Sequence, residues 1–218
     1  MDRVKAPARP KVTRPTAQQL HECPGGAHEA IEFALGEVLG QLDVLDETVG
    51  VAPVGCALLL FESLDVDIVT VPPGRGPTVA AGLKRVHPRA LVFTYQGGWD
   101  ATCAGAGEIL HAAARNEPIA VIFANRVRTA AGAAAHGMPP LEHELDLCEL
   151  ARTANRGALI ERLAVGGEED LPALKEALAR AFEAQRGGQG FSMLEITPRE
   201  PAAGPRRKPG CPDAAAAR

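Results

Sequence analysis

The stretch Thr94–Gly132, TYQGGWDATCAGAGEILHAAARNEPIAVIFANRVRTAAG, decides the fold. It opens on the end of an apolar strand and breaks at the pair Gly97-Gly98. A helical pattern follows, then a second apolar run that ends at Asn125. Strand, glycine turn, helix and strand make one βαβ unit, the building block of a parallel sheet. Glycines at the end of the strand allow backbone N–H groups and a helix N-terminus to face outward, a geometry suited to phosphate groups.

The same alternation continues on both sides of this unit. Short apolar, β-branched runs fall near 49–54, 66–71, 90–96, 118–124, 158–165 and 191–196. Helical patterns fall near 27–42, 56–64, 77–87, 103–115, 142–155 and 170–186. This predicts an α/β fold, doubly wound, with a mainly parallel six-stranded sheet and helices on both faces. The last helix has the clearest ends: Glu168, Glu169 and Asp170 load its N-terminus, and Gly187-Gly188 closes it. Ligands of such sheets sit beyond the carboxyl ends of the strands. Gly55 with Cys56, Pro73 with Gly74, Gly97 with Gly98, and Asn125 with Arg126 each follow a strand, and should meet on one edge.

With 218 residues, 46% of them hydrophobic, and a net charge of −4, the chain can bury a single core. It carries no basic excess of the kind that draws a protein to nucleic acid or to an anionic membrane. The longest apolar run, Val54–Phe61, is far too short to span a bilayer. Residues 1–19 are basic and Pro-rich without the apolar stretch of a signal peptide, and 201–218 are Pro/Ala/Arg-rich; both read as disordered tails around a domain at 20–200. Five scattered cysteines (23, 56, 103, 148 and 211) read as reduced thiols of a cytoplasmic protein. Few aromatics and many alanines point to helices packed closely on the sheet.

Six segments, in order, carry a family resemblance: CPGGAH (23–28), VGVAPVGCALL (49–59), GRGPTVAAGLKRVHP (74–88), VFTYQGGWD (92–100), EILHAAARNEPIAVIFAN (108–125) and AFEAQRGGQGFSMLEI (181–196). Over residues 20–197 the chain resembles the thiamine-diphosphate-binding (beta) subunit of 2-oxoacid:ferredoxin oxidoreductases. The resemblance implies a thiamine-diphosphate-binding fold and thiamine diphosphate held with Mg²⁺. It also implies oxidative decarboxylation of a 2-oxoacid to acyl-CoA, with electrons passed to ferredoxin, in company with alpha/gamma-type subunits. It places cofactor contacts at Gly55, Cys56, Gly74, Arg75, Gly97, Gly98, Asp100, Asn125 and Arg126.

The chain departs from the family pattern where the chemistry is concentrated. In the family the glycine turn reads Gly-Asp-Gly-Asp and its first Asp binds Mg²⁺; here the turn is Gly97-Gly98-Trp99-Asp100. Asp100 has two readings, a surviving cofactor contact or an N-cap of the next helix, and the cap suits its position better. The bulky Trp99 fills space meant for close approach to phosphate. The family's second metal ligand, an Asn, is Arg126 here, and a guanidinium cannot ligate a cation. Arg126 and Arg128 either bind a phosphate directly, or are solvated charges, or meet an acidic partner surface. Pro73 replaces a pocket His, and Arg75 serves an anion or ties loops together.

Of the family's four cluster cysteines, Cys23 and Cys56 remain, with Gly26 and Glu200 at or near the other two places; Cys211 lies in the tail. No intact iron–sulfur cluster is expected, and Cys56 reads as a small core residue. His28 matches a family His near the cofactor edge, whereas His21, His111, His136 and His143 show no metal-ligand spacing. No metal site of the chain's own and no catalytic residue is assigned. Three functions remain open: a catalytic-complex subunit, a non-catalytic scaffold or regulatory paralogue, and a binding module for another phosphorylated or CoA-like ligand. The Ala-rich segment 130–135 makes the cofactor edge less polar, which favours contact with a partner subunit or a second copy.

Overall fold

A computed structural model describes residues 27–125 and 145–199. In chain order the elements are α1 (His28–Leu42), β1 (Thr48–Pro53), α2 (Leu60–Ser63), β2 (Asp67–Val71), α3 (Gly76–Val86) and β3 (Leu91–Gly97). There follow α4 (Ala106–Ala114), β4 (Ala120–Ala124), α5 (Leu147–Ala154), β5 (Leu159–Val165), α6 (Leu171–Arg186) and β6 (Ser192–Pro198). All strands pair in parallel, in the order β2-β1-β3-β4-β6-β5. The expected six-stranded, doubly wound sheet is therefore present, and it is wholly parallel. Both tails and residues 126–144, which include the Ala-rich segment, lie outside the described residues, as do Cys23, Cys211, Arg126 and Arg128.

The strands are apolar on both faces because both are covered. On one face Phe93, Tyr95, Ile122, Leu194 and Ile196 pack against Ile31, Leu35 and Leu39 of α1 and Leu178 and Phe182 of α6. Phe93 and Phe182 meet at 5.9 Å between ring centroids, tilted by 55°, a favoured aromatic arrangement. Val92, Val121, Phe123 and Met193 face the other way, against Ala80 of α3, Ile109 and Ala112 of α4, and Cys148 and Ala151 of α5. The period-two alternation along β3, β4 and β6 thus feeds two apolar cores.

Helix ends follow local chemistry in two places. Asp146 caps α5 by accepting a hydrogen bond from the Glu149 N–H, and Gly188, at φ +74°, supplies the left-handed residue that closes α6. The helix expected over 103–115 is shorter, starting at Ala106. Before it, Asp100–Ala104 form a π-helical turn, a rare structure that carries extra chain per turn.

The order of the strands locates the working edge. From β1 the chain steps outward to β2, then crosses back over β1 to β3. The carboxyl ends of β1 and β3 therefore flank a topological switch point, where doubly wound sheets hold ligands.

Candidate functional site at the carboxyl edge of the sheet

Several of the expected residues do converge. Gly74, in the turn after β2, has φ +79°, and a Cβ there would overlap the Ala104 carbonyl oxygen. Only glycine fits both demands. Its N–H donates to Asp100 Oδ1 at 2.7 Å, while the Gln96 side chain donates from Nε2 to Asp100 Oδ2. Gln96 is set in turn by Thr94, whose hydroxyl donates to Gln96 Oε1 at 3.0 Å. Asp100 therefore pins the turn after β2 to the end of β3.

That role corrects the expectation for Asp100. It caps neither the π-helical turn nor α4, neither of which has a side-chain cap. Its carboxylate points into the protein and is buried. Burial lifts its pKa above the ordinary aspartate value, while the hydrogen bonds from Gln96 and Gly74 pull the other way. Both of its oxygens carry hydrogen bonds within the fold.

Gly98 closes the same edge. A Cβ at this position would lie 2.7 Å from Asn125 Oδ1, 2.9 Å from Asn125 Cα and 3.2 Å from the Ala124 carbonyl oxygen. The turn after β3 thus sits directly on the end of β4, and any side chain at 98 would force them apart. Thr102 braces the turn from the other side, donating to the Gly98 carbonyl at 2.7 Å. Gly97 is unconfined: a Cβ there meets nothing within 4 Å.

Asn125 is held from behind. Its N–H donates to the Ile196 carbonyl at 2.7 Å, and its Nδ2 donates to Glu195 Oε1 at 2.6 Å. A carboxylate only accepts, so the orientation of the amide is determined. Among the described residues Asn125 Oδ1 is left buried with no hydrogen-bond partner, and so is Trp99 Nε1.

Two expected residues stand apart. Gly55, at φ +135°, leads into the short helical turn that begins at Cys56, and its surroundings are open. Arg75 does not turn into the edge; its guanidinium pairs with Glu108 on α4, which also accepts from the Thr78 hydroxyl. That pairing joins the start of α3 to α4. His28 is buried at the start of α1, where its Nδ1 hydrogen-bonds the Tyr95 hydroxyl, two residues before Gly97. His111, on α4, is exposed.

A second polar group behind Asn125 was not singled out in the sequence. Glu195 is almost fully buried. Its Oε2 accepts from Arg162 Nε at 2.6 Å and from the Cys148 thiol at 3.1 Å, and Arg162 also donates to Asp146 Oδ1 at 2.7 Å. Burial, then the hydrogen bond from Cys148 to Glu195, pushes the Cys148 thiol up to about 12. Asp146, Cys148 and Glu195 lie close enough to share a metal ion, but Arg162 already supplies the positive charge between the two carboxylates. One signal was legible: Glu195 is an acid inside the otherwise apolar strand run FSMLEI.

No family model matches the sequence. The chain is 30% identical over 201 residues to ketoisovalerate oxidoreductase subunit VorA of Methanothermobacter thermautotrophicus, an alignment that covers 84% of this chain and 41% of that protein. It is 31% identical over 80 residues to 2-oxoglutarate synthase subunit KorB of Archaeoglobus fulgidus, covering 37% of this chain and 30% of that one. The chain thus spans less than half the length of these curated relatives. Among solved structures, the fold matches a 2-oxoglutarate:ferredoxin oxidoreductase from Magnetococcus marinus, with TM-score 0.71 at 16% identity, over 85% of this chain and 65% of that one. It also matches a thiamine diphosphate-dependent 4-hydroxybenzoylformate decarboxylase of Rhodococcus jostii, with TM-score 0.52 at 16% identity, over 85% of this chain and 35% of that one. Among the described residues no helix is long and apolar enough to cross a membrane. With the parallel sheet, the closed glycine edge and the similarity to VorA together, the chain belongs to the 2-oxoacid:ferredoxin oxidoreductase family.

Proposed function

We propose that this chain is the thiamine-diphosphate-fold (beta-type) component of a cytoplasmic, multi-subunit 2-oxoacid oxidoreductase. The complex decarboxylates a 2-oxoacid oxidatively to acyl-CoA and passes the electrons to ferredoxin. In this reading alpha/gamma-type subunits complete the cleft, and the chain's own hold on Mg²⁺–thiamine diphosphate is impaired. One observation carries the impairment: at the turn after β3 there is no side-chain oxygen at position 98 and no room for one, since Gly98 rests on Asn125. The acid left in the turn, Asp100, spends both oxygens on Gly74 and Gln96. An octahedral Mg²⁺ needs oxygen ligands that face the ligand, and these residues do not fit that demand.

The inward-turned Asp100 also favours a second reading, a scaffold or regulatory paralogue that keeps the fold and the partner interface. Calorimetric titration with thiamine diphosphate, with and without Mg²⁺, tests the impairment; the isolated chain is expected to bind weakly or not at all. Micromolar, magnesium-dependent binding would refute it. Co-expression with the partner subunits then separates the two readings, since only the first expects 2-oxoacid-dependent reduction of ferredoxin to require this chain. Anaerobically purified protein is expected to lack the colour and the stoichiometric iron of a [4Fe–4S] cluster.

A further inference from the structure

We propose that the turn Gly97–Gly98–Trp99 is a flap that lifts off the end of β4, hinged at Gly97 and anchored at Asp100. The inference is independent of whether the edge binds thiamine diphosphate. In the closed position two polar atoms of this edge, Trp99 Nε1 and Asn125 Oδ1, are buried without partners among the described residues. Buried polar groups in native proteins are nearly always satisfied, and an orphan costs the closed state its full desolvation penalty. One orphan lies in the contact itself, since Gly98 packs on Asn125 Oδ1, and the other is carried by Trp99, the next residue in the turn. Asn125 cannot relieve its orphan by flipping, because its Nδ2 is committed to the Glu195 carboxylate at 2.6 Å. Lifting the turn gives both atoms access to water or to a bound group.

The surroundings are arranged for that motion. Gly97 has open space where a side chain would be and the conformational latitude of a glycine. Beyond the flap, Asp100 is fixed to Gly74 and Gln96, so once the Thr102 hydroxyl releases the Gly98 carbonyl movement ends there and does not spread into α4. The π-helical turn Asp100–Ala104 supplies extra chain next to the anchor, and such turns are concentrated at functional sites.

Trp99 is the single tryptophan of the chain, so its emission and its indole N–H resonance report on this turn alone. In the wild-type protein the indole signal is expected to show microsecond-to-millisecond exchange by relaxation dispersion, the scale of flap motions. Gly98→Ala places a Cβ 2.7 Å from Asn125 Oδ1 and should hold the flap open: emission shifts to the red and acrylamide quenching rises several-fold. Gly97→Ala meets no steric obstacle but stiffens the hinge, and should suppress the dispersion while leaving emission native. A wild-type indole that shows no dispersion and full protection from solvent would overturn the flap. So would a folded Gly98→Ala protein with native emission, or a Gly97→Ala protein with unchanged dispersion. If Gly98→Ala does not fold, the wild-type and Gly97→Ala measurements decide the matter by themselves.

Discussion

Two buried polar regions share Asn125, and they are built in opposite ways. Behind it, toward β5 and β6, Glu195 is saturated: Asn125, Cys148 and Arg162 all donate to it, and Asp146 takes the rest of the Arg162 guanidinium. In front, at the turn after β3, Asn125 Oδ1 and Trp99 Nε1 are buried with no hydrogen-bond partner among the described residues. Fully satisfied polar networks rigidify a fold, whereas unsatisfied groups mark places where something else is meant to bind or move. In the proposed flap the saturated side is the frame and the unsatisfied side is the part that moves, and Glu195 is what lets one residue serve both.

The largest expected effect tests the frame. Glu195→Ala strips Asn125, Cys148 and Arg162 of their acceptor and should cost about 3 kcal/mol in chemical unfolding. That is the low end for breaking a buried pair, because the Arg162 side chain is a third exposed and can recover some solvation. A loss below about 1 kcal/mol would show that the network is ornamental and would erase the contrast. Next comes the turn. Gly98→Ala should cost about 2 kcal/mol if the turn and β4 are rigidly packed, and clearly less if the flap yields, so its unfolding midpoint sharpens the comparison in either direction.

Asp100→Asn probes the anchor between the two. An Asn keeps an acceptor for the Gly74 N–H, and Gln96 can rotate its amide to accept from the new Nδ2, so at neutral pH the change should be under about 1 kcal/mol. Its pH dependence carries the information. Burial raises the Asp100 pKa in the folded protein. The stability it contributes is therefore present below the ordinary aspartate value of 3.8 and is lost as pH rises through the folded value. Wild type should accordingly gain on Asp100→Asn as the pH falls from neutral toward 4. A stability difference that stays flat over that range would place Asp100 in a better-solvated setting than its contacts indicate.

The smallest effect is chemical. In a variant in which Ser replaces Cys23, Cys56 and Cys211, a disulfide-exchange reagent at pH 8 should label the exposed Cys103 quickly. Cys148 should stay unreactive until the protein unfolds, because it is buried and pushed up to about 12. Rapid labelling of both thiols would show that the Glu195 network opens as readily as the turn.

The order of apolar runs and helical patterns was enough to establish the class of fold, because a parallel sheet covered on both faces needs strands that are apolar throughout. The glycines after the strands were legible for the same kind of reason: Gly74 and Gly98 mark places where backbone must approach backbone. Tertiary structure alone decided what those places do. Asp100 read locally as a helix cap, but the partner that claims it is Gly74, 26 residues away in the chain. Arg75 read equally well as an anion ligand or a tie, and only the fold gave it Glu108 on the neighbouring helix as a partner. Glu195 looked like one letter in a matching segment until β4, β5 and α5 brought it Asn125, Arg162 and Cys148. Periodicity records which face of an element is buried; which polar group meets which depends on strand order, and adjacent letters do not encode it.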